Sequence, residues 1–274
     1  MGPDIKNIPM QMFKEVQVKD WQIEINNCSK WIGDYVRNNG MNGIVVGLSG
    51  GIDSSVIACL SVNAVGKENV IGVSLPCETR EDMNVDAQEL AENLGIKFLT
   101  IDLFDSFVFL KDDTREAVGK TKEESIKVLT QANIKARLRM TALYAISNEM
   151  NYLVAGTGNR SELEIGYFTK FGDGGVDLEL LGNYYKGEVY EMAELMPEIP
   201  QNVKDKEPSA DLYSGQTDEQ ELGMSYPVLD NVLRGVNGNR KLLDEADVDL
   251  VEKVQYMKKV ARHKNNVPPR YTRI

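Results

Sequence analysis

The sequence is poor in the residues that most often carry redox or metal chemistry. It has a single histidine, His263, and three cysteines, Cys28, Cys59 and Cys77, far apart and with no CxxC pair. That speaks against a zinc site or a redox dithiol and for a reducing compartment, with each cysteine a small buried hydrophobe. No apolar run approaches membrane-spanning length, and the first residues hold no signal-peptide core, so the expected location is the cytoplasm. Pro3 and Lys6 break the myristoylation pattern after Met1-Gly2. Basic residues are outnumbered, 31 against 42 acidic, and the net charge of −11 disfavours a non-specific nucleic-acid surface. There is no internal repeat, low-complexity segment or composition break. The 274 residues therefore read as one domain, 1–274, with an extended lead-in over 1–20 and a polar tail over 262–274.

Also missing is the lysine that follows the glycines of a Walker P-loop, and the glycines do not have the spacing of a dinucleotide turn. What stands there instead is Ile44-Val45-Val46-Gly47-Leu48-Ser49-Gly50-Gly51-Ile52-Asp53-Ser54-Ser55. The β-branched run at 44–46 reads as a buried parallel strand, and Val56 to Leu60 as a buried helix. A strand, a glycine turn and a helix N-terminus make an anion site, because free N–H groups point outward and no side chain blocks the approach. Ser49, Ser54 and Ser55 add hydroxyl donors. Asp53 would repel a phosphate unless a cation lay between them, so it reads as a ligand to nucleotide-bound Mg²⁺.

The rest of the chain alternates strands and helices. Trp21, Ile25, Cys28, Ile32 and Val36 recur at helical spacing behind an Asp20 cap, and the tryptophans read as part of a packed face. Val70 to Leu75 is a strand. Thr79 and Asp82 open a helix that buries Ala87, Leu90, Ala91 and Leu94 and stops at Gly95. Ile96 to Leu103 is a third strand. Thr121 and Glu124 form a capping box for a helix running to about Met150, and Leu153-Val154-Ala155 is a fourth strand. The pattern predicts an α/β fold with an open parallel sheet and helices on both faces.

The fourth strand ends in Gly156-Thr157-Gly158-Asn159-Arg160-Ser161-Glu162. Ligands of open parallel sheets bind at the strands' carboxyl ends, so two polar glycine turns would frame one pocket. Glu162 then joins Asp53 as a second hard ligand to one Mg²⁺. Residues 166–186, with Lys170, Asp173, Asp177 and Lys186 among glycines and aromatics, read as a substrate loop. Val189, Met192, Ala193 and Met196 mark another helix, Glu198 to Thr217 is a long irregular stretch, and Leu250, Val254, Met257 and Ala261 stripe a last helix.

The motifs Ser-Gly-Gly-Ile-Asp-Ser, KARLRM, GTGNRSE, GYFTKFGDGGVDL, YKGEVYE, KEPSADL, GQTDEQELG and RHKNNVPP run through nearly the whole chain. In them it resembles the ammonia-dependent NAD synthetases of the N-type ATP pyrophosphatase superfamily. The resemblance implies a Rossmann-like, adenine-nucleotide α-hydrolase-type fold, a homodimer, and ATP-dependent amidation of deamido-NAD through an adenylate, giving NAD, AMP and pyrophosphate. It places ATP contacts on Gly47, Leu48, Ser49, Gly50, Gly51, Ile52, Asp53, Ser54, Thr157, Lys186 and Ser209, and magnesium on Asp53 and Glu162. Deamido-NAD contacts fall on Arg137, Lys170, Asp177, His263 and Lys264, with Arg139 a weaker candidate. Asp53 and Lys186 are the catalytic candidates, and Asp173 and Asp177 are those for holding ammonium or accepting its proton. With no stretch left for a glutaminase, ammonia is the expected nitrogen donor. The segment Ala210-Asp211-Leu212-Tyr213 lacks a tryptophan that some members carry. Another ATP pyrophosphatase of the same superfamily (a tRNA-modifying enzyme or an amidotransferase synthetase subunit) and a non-catalytic nucleotide-binding regulator remain as alternatives. The acidic charge and scattered cysteines count against the tRNA-modifying enzyme, and the paired carboxylates against the regulator.

Overall fold

The computed structural model describes residues 20–78, 81–209 and 217–272, with 81–84 described by backbone alone. The lead-in over 1–19, Thr79 as a cap, the Asp82 side chain and Ala210 to Tyr213 lie outside those residues. Helix α1, Trp21–Asn38, starts where expected: the Asp20 carboxylate accepts from the N–H groups of Gln22 and Ile23 at 3.1 and 3.3 Å. It buries Ile25, Ile32 and Val36. The paired-tryptophan face needs correcting. Trp21 packs on the core, but Trp31 is 53% exposed and stacks only on Tyr35.

The sheet holds β1 (Gly43–Gly47), β2 (Val70–Ser74), β3 (Lys97–Thr100), β4 (Tyr152–Gly156) and β5 (Leu178–Glu179), in the order β3-β2-β1-β4-β5. All four pairings are parallel, with Val45 between Ile71 and Val154. In β1, Ile44 and Val46 join the cluster that contains α2 (Ile52–Val65), while Val45 joins the opposite one. A side chain of this kind contributes about 1.5–3 kcal/mol when fully buried, which fixes the register, since a one-residue slip would reverse both faces. On the first face lie α1, α2, α3 (Glu81–Leu94) and α7 (Lys186–Glu194). The second is covered by α4 (Phe104–Ala117) and α5 (Val128–Met150), through Phe107, Ile134, Leu138 and Leu143. A third cluster unites α6 (Arg160–Ile165), α9 (Asp218–Leu222), α10 (Tyr226–Val236) and α12 (Val248–Asn265).

The order reverses beside β1: the chain runs outward through β2 and β3, then returns to set β4 on the other flank. Both glycine turns therefore leave neighbouring strands at the switch point, where open sheets bind ligands. Gly50 has φ +74°, a conformation a side chain would strain, and it lets the chain turn back into the first turn of α2.

Several boundaries differ from expectation. The Thr121–Glu124 box closes a turn rather than a helix. Glu124 accepts the Thr121 N–H at 2.9 Å, but α5 begins only at Val128. The buried Ile126 separates the two, so the capping residues satisfy each other before the helix starts. The third strand is shorter than expected, and α4, α10, α11 (Arg240–Asp244) and β5 were not foreseen. Part of the stretch 198–217 is helical, in α8 (Gln201–Asp205). Arg262, His263 and Lys264 belong to the last turns of α12 and not to a tail.

Candidate active site

A cleft of about 850 Å³ opens at the switch point. It is lined by Gly47, Leu48, Ser49, Gly51, Ile52, Asp53 and Ser54 from the first turn and by Thr157 and Glu162 from the second. Lys186, Ser209, Arg137, Arg139, Lys170, Asp173, His263 and Lys264 also line it. Gly50 turns the loop from behind this surface. Asp177 lies apart from it: one carboxylate oxygen accepts the Val154 N–H at 2.9 Å and the other the Tyr144 hydroxyl at 3.0 Å.

The first turn is held by its own hydroxyls. Ser49 Oγ accepts the Gly51 N–H at 3.2 Å, and Ser54 donates to the Gly51 carbonyl at 3.0 Å. Ser55, expected as a further donor to a ligand, also donates to Gly51 O, at 2.8 Å, and is buried away from the cleft. Its part is to brace the loop. Gly51 caps α2 without a side-chain bond, leaving the N–H groups of Ile52, Asp53 and Ser54 directed outward.

The Lys186 ammonium, 2% exposed as a residue, contacts the Asp53 carboxylate and stands 3.9 Å from Glu162 Oε1. Burial alone would lower this lysine, but Asp53 and then Glu162 outweigh it and hold it above its ordinary value. Glu162 is pushed the opposite way from a simple ion pair: burial, then the Asp53 charge, lift it well above the usual carboxylate range. Both shifts follow from the geometry. One ammonium faces two carboxylates and is spent on the nearer, so the second negative charge has no cation of its own.

Asn159, which sequence reasoning missed, arranges both acids. It caps α6 by accepting the Glu162 N–H at 3.1 Å, Glu162 Oε2 returns the bond to the Asn159 N–H at 3.1 Å, and its amide donates to Asp53 at 3.1 Å. The Asn-x-x-Glu spacing carried that signal. Tyr226 and Asp218 were also missed; Asp218 lies within the motif GQTDEQELG, whereas nothing local in the sequence marks Tyr226. The Tyr226 hydroxyl lies 3.1 Å from Glu162 Oε1 and 3.0 Å from Asp218 Oδ2. One phenol hydrogen is thus shared between two carboxyls, both of which burial raises above the usual carboxylate range.

On the opposite wall, the cationic side chains hold loop to helix. Lys264 donates to the carbonyls of Gly166 and Phe168, each at 2.7 Å, and Lys170 to those of His263 and Asn266. Gly166, at φ +72°, permits the close approach, since a methyl there would sit 2.5 Å from Ala261 Cβ. Asp173 accepts the Thr169 N–H at 2.9 Å; its open surface faces the cleft, and burial among protein atoms raises its carboxyl.

Residues 24–268 match the NAD synthase family. The chain belongs to that family. It is 40% identical to the NH3-dependent NAD(+) synthetase of Carboxydothermus hydrogenoformans, over 91% of this chain and 97% of that one. An NH3-dependent NAD synthetase from Campylobacter jejuni, in complex with nitrate, superposes with a TM-score of 0.77 at 28% identity, covering 93% of this chain and all (100%) of the other. An NMN synthetase from Francisella tularensis gives a TM-score of 0.81 at 32% identity, covering 93% and 99%. These matches agree with the Rossmann-like parallel sheet.

Glu179, beside the cleft on β5, is exposed as a residue, but its carboxyl is tucked against the second glycine turn. Burial, then the Asp173 charge, lift it to about 7, and a methyl on Gly156 would stand 2.8 Å from its Oε2. A carboxyl raised on folding binds more protons folded than unfolded, so its ionisation opposes folding as pH climbs from about 4.5 to about 7. In Glu179→Gln that slope should disappear, with the variant more stable than wild type above pH 7 and no gain near pH 4.5. Thermal melts across this range check it, and parallel curves would refute it.

Proposed function

We propose that this chain makes NAD by amidating deamido-NAD with ammonia, splitting ATP into AMP and pyrophosphate. The observation that carries the reading is the meeting of Asp53, Glu162 and Lys186 in one cleft, between two glycine turns on adjacent strands. ATP lies with its phosphates on residues 47–54 and on the outward N–H groups that open α2. Thr157, Lys186 and Ser209 are its further contacts. Asp53 and Glu162 would hold Mg²⁺, and the donor set fits: both are hard carboxylate ligands in one cleft, and the single ammonium of Lys186 contacts only the first of them. When bound, the metal neutralises phosphate charge.

The nicotinate carboxylate of deamido-NAD attacks the α-phosphorus, a carboxyl–phosphorus bond forms, and the bond to the bridging oxygen breaks as pyrophosphate leaves. Lys186 and the loop amides offset the charge growing on that leaving group. Ammonia then attacks the activated carbonyl carbon and AMP departs. Asp173 accepts the surplus proton, since its carboxyl is open to the cleft and stands above its ordinary value; Asp177, engaged by Tyr144 and Val154 apart from the cleft, is not placed to do so. Arg137, Lys170, His263 and Lys264 receive deamido-NAD, whereas Asp177, expected among them, stands apart from the cleft. The protein works as a cytoplasmic homodimer. Supporting this are exposed Phe109 and Leu110 on α4 with Val128 and Leu129 on neighbouring α5, and the absence, among the described residues, of a helix able to cross a membrane.

The likeness to an NMN synthetase raises a second substrate, deamido-NMN. Purified protein given ATP, Mg²⁺ and ammonium should convert deamido-NAD with the higher kcat/KM. Preference for deamido-NMN would move the assignment to the mononucleotide. Glutamine freed of ammonia should give no product with either, and turnover on it would contradict the ammonia reading.

A further inference from the structure

Helix α10 presents Tyr226, Asp230 and Arg234 at successive i, i+4 positions, so they share one face, turned to α6 and α7. Asp230 is fully buried. Its Oδ2 accepts the Gly187 N–H at 2.9 Å, and its Oδ1 accepts the Ser161 hydroxyl. Ser161 Oγ in turn accepts the Lys186 N–H at 3.0 Å. Lys186 and Gly187 are the first two residues of α7, whose amides have no partner within the helix. One carboxylate thus satisfies both, the second directly and the first through Ser161. Beside it, Glu188 accepts the Tyr185 N–H at 2.9 Å and meets Arg234 at 3.3 Å.

We propose that Asp230, acting through Ser161, is a positioning residue for the adenylation step: it fixes the Lys186 backbone against α6, the helix that carries Glu162. This rests on the reading that Lys186 meets the ATP phosphates. A lysine has four flexible carbons between backbone and charge, so where its ammonium settles depends on how firmly its Cα is anchored. Ser161 directly precedes Glu162, so the same link sets the spacing of acid and base. The negative charge of Asp230 at the start of α7 is electrostatically favoured, and every bond it accepts comes from the two segments that bear catalytic candidates.

The test uses the full chain, with kcat per folded protein from deamido-NAD-dependent pyrophosphate release. Asp230→Asn should lower kcat on the order of tenfold to a hundredfold, the loss typical of a misplaced reacting group, with KM for ATP and deamido-NAD within about twofold. Ser161→Ala should lower kcat in the same way. The double variant should be no slower than Asp230→Asn alone, because both changes break one link. Losses that multiply, or a KM rise at constant kcat, would overturn the proposal. So would unchanged kcat in both variants while Lys186→Met is inactive. If Lys186→Met itself turns over normally, the reading of Lys186 fails instead. Should Asp230→Asn not fold, Ser161→Ala decides alone: reduced kcat at constant KM supports the link, and unchanged kcat refutes it.

Discussion

Lys186→Met is expected to slow adenylate formation about 10³-fold, roughly 4 kcal/mol of barrier. Methionine nearly matches lysine in length and apolar bulk, so the position stays filled and what disappears is the charge. That charge contacts Asp53, stands 3.9 Å from Glu162, and sits 5.1 Å from the centre of the Tyr226 ring. Such an ammonium is already desolvated and oriented before the pyrophosphate acquires its negative charge, and preorganisation of this kind is where electrostatic catalysis is strongest. Stability should fall too, because Asp53 and Glu162 are left facing each other, although proton uptake by Glu162 limits the loss. Stopped-flow or quench measurement of pyrophosphate release from folded variant checks the prediction. A rate within tenfold of wild type would remove Lys186 from the chemistry.

Asp53→Asn and Glu162→Gln should each reduce pyrophosphate release on the order of 10²–10³-fold while the fold survives. The amides preserve most of the hydrogen bonding. Asparagine at 53 can still accept from Asn159, and glutamine at 162 still returns the capping bond to the Asn159 N–H. What each loses is the charge that turns a hard cation toward the phosphates. The two variants should differ in Mg²⁺ dependence. Glu162 has no ammonium in close contact, so Glu162→Gln should need more magnesium to approach saturation, whereas Asp53→Asn also frees Lys186 from its ion pair. Near-normal release from either at saturating Mg²⁺ would exclude that residue from the metal site, and loss of the folded circular-dichroism spectrum would show it to be structural.

The first turn was legible because its chemistry is local: a β-branched strand, two glycines and a helix start announce free N–H groups wherever they occur. The second turn became informative through the sheet, since βαβ connections bring the ends of β1 and β4 side by side. The capping box at Thr121 was misleading for a physical reason, as a side chain three residues on closes a turn as readily as it opens a helix. Lys186 looked like part of a loop because Tyr185, and not Ser, Thr, Asp or Asn, stands at the cap position of α7. Its cap is assembled at a distance, by Ser161 and Asp230 from two other helices. Nor could sequence spacing reveal Tyr226 beside Glu162, 64 residues away in the chain. Local rules find what a segment does with its own backbone, and pairings between remote helices become visible only once the sheet has set them against each other.

The central claim is that a carboxylate attacks the α-phosphorus of ATP in this cleft. Deamido-NAD carrying oxygen-18 in its nicotinate carboxyl group tests it, with ATP, Mg²⁺ and ammonium supplied and the products read by mass spectrometry. The account predicts one labelled oxygen in AMP, none in pyrophosphate, and one left in the NAD amide. Label in inorganic phosphate together with ADP, or AMP without label while NAD is formed, would contradict it.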